Sequence, residues 1–208
     1  MPRNQEALAR LIAREGVSPA VVEAFRSVDR AGFVPAPSRM EAYGDRPVGI
    51  PGGQTTSQPS LIARMIDAAA VTRRDAVLEV GTGHGFQTAL LAALAERVIS
   101  IERLDELVAD ARANLERAGV INAEVVAGDG RLGAPEHAPY GAVIVSAGAE
   151  EIPPALVEQL DEGGRLVIPL RSPMGDDVRV FKKHHGALDR GRLLTPARFV
   201  PLLPGEPP

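Results

Sequence analysis

The chain has 208 residues, 45% of them hydrophobic and 24% charged, enough apolar material for one domain with a continuous core. A net charge of −4 excludes a strongly basic field for nucleic acid or an anionic membrane, and the lack of cysteine excludes disulfides, thiolate metal sites and thiol nucleophiles. No apolar run approaches the roughly 18 residues of a membrane span. The start, MPRNQEALARLIAREG, lacks the apolar core of a signal peptide, so the expected compartment is the cytoplasm.

Two helices are predicted first. Leu8, Leu11 and Ile12 fall on one face; Val21, Val22, Phe25 and Val28 fall on another, with Ser18 as N-cap and Pro19 at the first helical position. A connection dense in proline and glycine follows, FVPAPSRMEAYGDRPVGIPGGQTTSQP. Loops of that length inside a compact domain are uncommon and are usually functional or disordered. Pro59 opens a third helix, PSLIARMIDAAA.

From residue 76 the pattern alternates. AVLEV, RVISI, AEVVAG, GAVIVSAG and GRLVIPL read as strands, and FQTALLAALA, LDELVADARANLERAG and PPALVEQL as the helices among them. Strands spaced by helices imply a parallel sheet covered on both faces. DDVRVFKKHH and ARFVPLL then read as two strands without a helix, an antiparallel edge, and PGEPP at 204–208 is expected to fray. Lys182, Lys183, His184 and His185 are expected to protect that edge, and His137 reads as loop. The expected fold is a doubly wound α/β domain with an N-terminal helical attachment.

LEVGTGHGF sets Gly81, Gly83 and Gly85 between a strand and a helix, where ligands bind in open α/β sheets. The spacing is G-x-G-x-G rather than the G-x-G-x-x-G of a dinucleotide site. Glu79 just before the turn would repel a pyrophosphate but suits S-adenosylmethionine, a cation without phosphate. Glu102 ends the next strand, where a carboxylate accepts from both ribose hydroxyls. Asp129 and Gly130 follow the third strand, where a carboxylate can accept from an adenine amino group. Taken singly, Glu102 reads as a solvated charge and Asp129 as an Asp-Gly turn; together with the glycine loop they make a constellation.

These residues resemble the protein-L-isoaspartate O-methyltransferase family. The likeness runs in order through FVP at 33–35, AYGDRPVGIPGGQTTSQP at 42–59, VLEVGTGHGFQTALLA at 77–92, SIER at 100–103 and GDG at 128–130. It continues through EIPPALVEQLDEGGRLVIP at 151–169 and RFVPL at 198–202. The resemblance implies one methyltransferase domain over 1–208: N-terminal helices and a substrate and cofactor loop at 1–58, a cofactor-binding core at 59–170, and C-terminal strands at 171–208. It implies S-adenosylmethionine as cofactor, S-adenosylhomocysteine as product, no metal, and isoaspartyl proteins and peptides as partners, with neither nucleic acid nor membrane. A monomer is the expectation.

The implied reaction methylates the α-carboxylate that is left free when aged Asn and Asp residues reroute the backbone through their side chains. The ester is a better leaving group, so the next backbone nitrogen recloses a succinimide, and hydrolysis returns some normal aspartate. A carboxylate is already ionised at neutral pH, so no general base is needed. Hydroxyl and amide donors orient it without blunting it, and QTTSQ supplies them. By resemblance Ser57 is the active-site serine. Thr55, Thr56, Glu79, Gly81, Thr82, Gly83, His84, Gly85, Glu102, Arg103, Asp129 and Gly130 surround the cofactor, with a solvent-facing side chain as the plain alternative for His84. A Thr/Ser loop capping the helix at Pro59 is the plain reading of the same stretch. Phe86 stands where the family often has tyrosine. Gly141 replaces a usual acidic residue, and RSPMGDDVRV lacks the usual glycine directly after the strand; both departures are expected to bear on the peptide groove. Methylation of a normal aspartate in a dedicated modified peptide, and cofactor binding without catalysis, are the competing readings.

Overall fold

The computed structural model describes residues 4–203, so the predicted fraying of 204–208 lies outside the described residues. Helices α1 (Gln5–Ala13) and α2 (Pro19–Ser27) pair at the N-terminus. The Asn4 side chain caps α1 by accepting from Ala7 N at 2.9 Å. Pro19 opens α2, whereas Ser18 occupies the N-cap position without a side-chain bond; its amide donates to Asp67 Oδ1 at 2.8 Å.

The long connection is not wholly irregular. It folds into β1 (Val48–Ile50) and β2 (Gln54–Thr56), paired antiparallel with Val48 opposite Thr56 and Ile50 opposite Gln54. Gly52 and Gly53, at φ 67° and 69°, make the reversal that L side chains resist. Val48 and Ile50 turn inward and Gly49 outward, which gives this short ribbon its buried face.

The remaining elements are α3 (Pro59–Ala69), β3 (Ala76–Val80), α4 (Phe86–Ala92), β4 (Arg97–Glu102), α5 (Asp105–Arg117) and β5 (Ala123–Ala127). After them come β6 (Tyr140–Val145), α6 (Pro154–Glu158), β7 (Leu160–Ser172), β8 (Gly175–His184), β9 (Ala187–Leu188) and β10 (Arg192–Ala197). The main sheet runs β10-β8-β7-β6-β3-β4-β5, with β9 beside β8. Strands β7, β6, β3, β4 and β5 are parallel; β8 and β10 are antiparallel additions. Alternation divides the core between two faces. Val77, Val98, Ala142 and Val167 pack with α1 to α5, while Leu78, Ile99, Val143 and Leu166 pack with Leu156 of α6. Because chain order reverses direction between β3 and β6, a crevice opens at the C-terminal ends of those strands.

Three expectations need correction. The last strand is β10, ahead of the predicted 197–203, because the later backbone is satisfied elsewhere. Phe199 N donates to Asp176 Oδ2 at 2.7 Å, Gly148 N to Val200 O and Leu202 N to Gly148 O, both at 2.8 Å. Strand β8 is interior rather than an edge, and Lys183 Nζ caps the end of α6 by donating to Val157 O at 2.9 Å and Leu160 O at 2.7 Å. Gly141 lies at the start of β6, the pole opposite the crevice. A Cβ there would lie 2.1 Å from Asp75 Oδ1, so Asp75 already fills the space a side chain would need.

Candidate functional site

The crevice holds two adjoining cavities that share Thr55, Ser146 and Val200 as a common wall. The first is floored by Gly81 and Gly83 after β3, flanked by Glu102 at the end of β4 with Arg103 and Leu104 beyond it, and bounded by Gly130. Gly81, Gly83 and Gly85 have φ of 94°, 55° and 89°, so the loop takes a path that only glycine follows without strain. The loop serves packing as well: a Cβ on Gly85 would sit 3.3 Å from Leu115 Cγ of α5.

Glu102 ties this arrangement together. Its Oε2 accepts from Gly83 N at 2.9 Å, and its Oε1 accepts from Arg103 N at 2.8 Å and Leu104 N at 3.1 Å. The carboxylate therefore fixes the glycine loop to β4 and the entry to α5, while Oε2 retains acceptor capacity at the cavity wall. Asp129 is held by its own turn, accepting from Arg131 N at 2.9 Å and pairing with Arg131 Nη2 at 2.8 Å. Gly130 beside it lines the cavity, and a Cβ there would lie 2.2 Å from Val80 Cγ1.

Other predicted residues stand behind the wall. Glu79 is fully buried, its Oε2 accepting from Thr88 Oγ1 at 2.5 Å and Ser100 Oγ at 2.7 Å. Burial pushes its pKa up to about 7, against the hydrogen bonds from Ser100 and Thr88. Thr82 joins the same network through Ser100 Oγ at 2.5 Å. His84 is buried too, but its ring turns toward α5, with Nε2 3.4 Å from Asp110 Oδ2, so it faces neither the cavity nor open solvent. Thr56 is buried in β2.

Thr55 projects from β2 into the shared wall, and Ser57 lines the second cavity with Gln58, Ser60, Arg64 and Arg198. Two groups brace this loop, Asp45 half-buried and Arg30 wholly buried. Asp45 accepts from Ser60 N at 2.8 Å in the first turn of α3 and from Gln58 Nε2 at 3.0 Å. Arg30, completely buried, donates to Ala42 O, Gly44 O, Arg46 O and Ser57 O over 3.0–3.2 Å and lies over the Phe86 ring at 5.7 Å. Burial lowers its pKa to about 10, which leaves it charged at neutral pH.

Sequence reasoning missed Arg30, Ser146, Arg64 and the wall contributed by Val200 to Leu203. For Arg30 nothing in the local stretch SVDRAGFVP set it apart from a solvated charge. Ser146 follows a buried strand in the same way that Gly81 follows β3, and it accepts from Gln87 Nε2 at 2.9 Å. Chemically, the first cavity fits S-adenosylmethionine: the glycine floor gives close approach, Ile101, Leu104 and Leu107 offer apolar cover, and Glu102 offers an acceptor. Glu102 is also the one acidic or imidazole side chain on either wall among the described residues, and three backbone amides already hold it. The site therefore suits a transfer that needs no general base.

The family model for protein-L-isoaspartate(D-aspartate) O-methyltransferase matches residues 3–206. The chain is 48% identical over 183 residues to a protein-L-isoaspartate O-methyltransferase of Koribacter versatilis, covering 88% of this chain and 82% of that protein. It is 44% identical over 211 residues to protein-L-isoaspartate O-methyltransferase 2 of Pelobacter propionicus, covering 98% and 94%. A solved protein-L-isoaspartate O-methyltransferase superposes with a TM-score of 0.86 at 29% identity, over 98% of this chain and 67% of that one. A Plasmodium falciparum protein described as a protein-L-isoaspartate O-methyltransferase, in complex with S-adenosyl-L-homocysteine, gives 0.84 at 25% identity over 97% and 99%.

Proposed function

The chain belongs to the protein-L-isoaspartate(D-aspartate) O-methyltransferase family, and from that premise we propose that it methylates the free α-carboxylate of L-isoaspartyl residues in damaged proteins and peptides. The observation that carries the reading is the pair of cavities meeting at Thr55, Ser146 and Val200. The glycine-floored cavity would take the cofactor and the one beside Ser57 the carboxylate. S-adenosylmethionine, when bound, supplies a methyl group on a sulfonium.

This chain's residues then hold and align. Gly81, Gly83, Glu102, Arg103 and Gly130 would form the cofactor's seat, with Thr55 at the boundary. Glu79, Thr82, Gly85 and Thr56 support that seat from behind, as does the backbone of His84, whose carbonyl accepts from Asn114 Nδ2 at 3.0 Å. Asp129 would meet the adenine end, with Arg131 as its present partner. The Ser57 hydroxyl would orient the acceptor carboxylate, and Arg64 and Arg198 give the second cavity a positive character that suits an anionic peptide group. The gain comes from alignment and a preorganised polar wall rather than from proton transfer. We read the chain as one methyltransferase unit, acting as a monomer in the cytoplasm; no helix among the described residues is long and apolar enough to cross a membrane.

Labelled S-adenosylmethionine offered with twin peptides, isoaspartyl and aspartyl, tests the reading. Base-labile label on the isoaspartyl twin alone is expected, and equal labelling of both would overturn it. Ser57→Ala should lower kcat/KM by about 10- to 100-fold, the scale of one lost hydrogen bond to a charged group, with S-adenosylhomocysteine affinity unchanged.

A further inference from the structure

Residues 171–180 run through the end of β7 and most of β8. In the folded chain Arg171 and Asp176 lie opposite each other in the β7–β8 hairpin, and Arg171 Nη1 donates to Asp176 Oδ1 at 2.9 Å. Asp176 is 1% exposed, and its second oxygen accepts from Phe199 N at 2.7 Å. Gly148 abuts the same group: a Cβ there would lie 2.6 Å from Asp176 Oδ1 and 3.3 Å from Arg171 Cζ. Gly148 in turn exchanges backbone bonds with Val200 and Leu202, both at 2.8 Å, and Arg171 N donates to Ala149 O at 2.8 Å. Three backbones therefore converge on one carboxylate: the hairpin, the loop after β6, and the C-terminal segment. The latter two supply Ser146 and Val200, two of the three residues shared by both cavities.

We propose that Asp176, neutralised by Arg171, is a positioning residue that fastens residues 198–202 across both cavities and so sets cofactor affinity and peptide placement. The peptide half of this inference rests on the methyltransferase reading; the cofactor half needs only binding. A buried carboxylate is retained when it is paired and hydrogen-bonded, and here the pairing has a mechanical consequence. Removing Asp176 leaves Phe199 N–H without its acceptor at the point where the segment leaves β10. Arg171 keeps a second carboxylate within reach, Glu150 at 3.8 Å, so the loss falls mainly on the segment.

Two variants separate charge from tether. Asp176→Ala removes both; Asp176→Asn keeps an acceptor for Phe199 N and loses the charge. Asp176→Ala is expected to weaken S-adenosylhomocysteine binding by calorimetry and to raise the peptide KM, each by about ten-fold, with kcat changing less. Hydrogen exchange at Phe199 and Leu202 should accelerate while β3 and β4 stay protected, and Asp176→Asn should recover most of the affinity. A purely structural role would lower the Tm of both variants without this pattern. Wild-type affinity, KM and exchange in Asp176→Ala would overturn the proposal. Should that variant fail to fold, Gly148→Ala, whose Cβ displaces the carboxylate, is read in its place with the same expected and overturning results. If the wild-type protein methylates no isoaspartyl peptide, the functional reading falls, while the exchange and affinity comparison still decides the role of Asp176.

Discussion

Glu79 is the residue whose chemistry differs most from its appearance in the sequence. It precedes the glycine turn, which is why it reads as a cofactor contact, yet AVLEV alternates faces. Val80 and Leu78 point toward α6, so Glu79 shares the face of Val77 and enters the layer under α4, where Thr88 meets it. Burial raises its pKa from 4.5 to about 7. A carboxyl raised in the folded state binds its proton more tightly than the unfolded chain does. Its stabilising share is thus full below about pH 4.5 and is lost as pH rises through about 7. Stability should therefore fall by up to about 3 kcal/mol over that window from this group alone. Urea titrations of wild type and Glu79→Gln at pH 5 and pH 8 check this: the variant should lose much of the slope, and an identical slope would show that Glu79 titrates normally. Arg30 carries the opposite lesson. Its burial is answered by four carbonyls that converge only in three dimensions, so no local pattern could announce them.

At the scale of elements, β3, β4 and β5 with their helices were legible because hydrophobic period and glycine punctuation agree there. The β1–β2 ribbon was not, since three-residue strands among prolines and glycines leave no alternation long enough to detect. Within the legible part, the approach of one turn to another is testable. Gly130 follows β5, and its missing Cβ would meet Val80 Cγ1 at 2.2 Å and Cβ at 3.4 Å. Val80 is buried and β-branched, with little rotamer freedom to yield. Gly130→Ala should therefore push the Asp129–Arg131 turn off β3 and weaken S-adenosylhomocysteine binding by about ten-fold, the scale of 1–3 kcal/mol for overpacking. Gly128→Ala is the control in the same turn, since its Cβ would meet Ile101 Cγ2 at an ordinary 3.9 Å. Calorimetry on the two variants should separate them, and equal affinities would remove the steric argument.

Across the whole molecule the parallel strands set up two poles, and the sequence could not say to which pole a given residue belongs unless its strand was placed correctly. Ser146 and Gly141 lie near opposite ends of the same apolar run, GAVIVSAG, yet one lines the cavities and the other faces Asp75. The C-terminal wall was equally hidden, because Val200 and Leu202 pair with Gly148 across a long separation in the chain. Gly141 turns this polarity into a measurement. Asp75 accepts from Thr72 N at 2.7 Å and from Arg165 Nη2 at 3.1 Å, so it cannot retreat freely from a Cβ placed 2.1 Å from its oxygen. Gly141→Ala should cost about 1–3 kcal/mol, a Tm drop of several degrees. Because the strain sits at the far ends of β3 and β6, peptide KM and cofactor affinity should stay at wild-type values in the folded variant. A shifted KM with an intact Tm would mean that strain crosses the sheet from pole to pole, against the rigidity expected of strands packed on both faces.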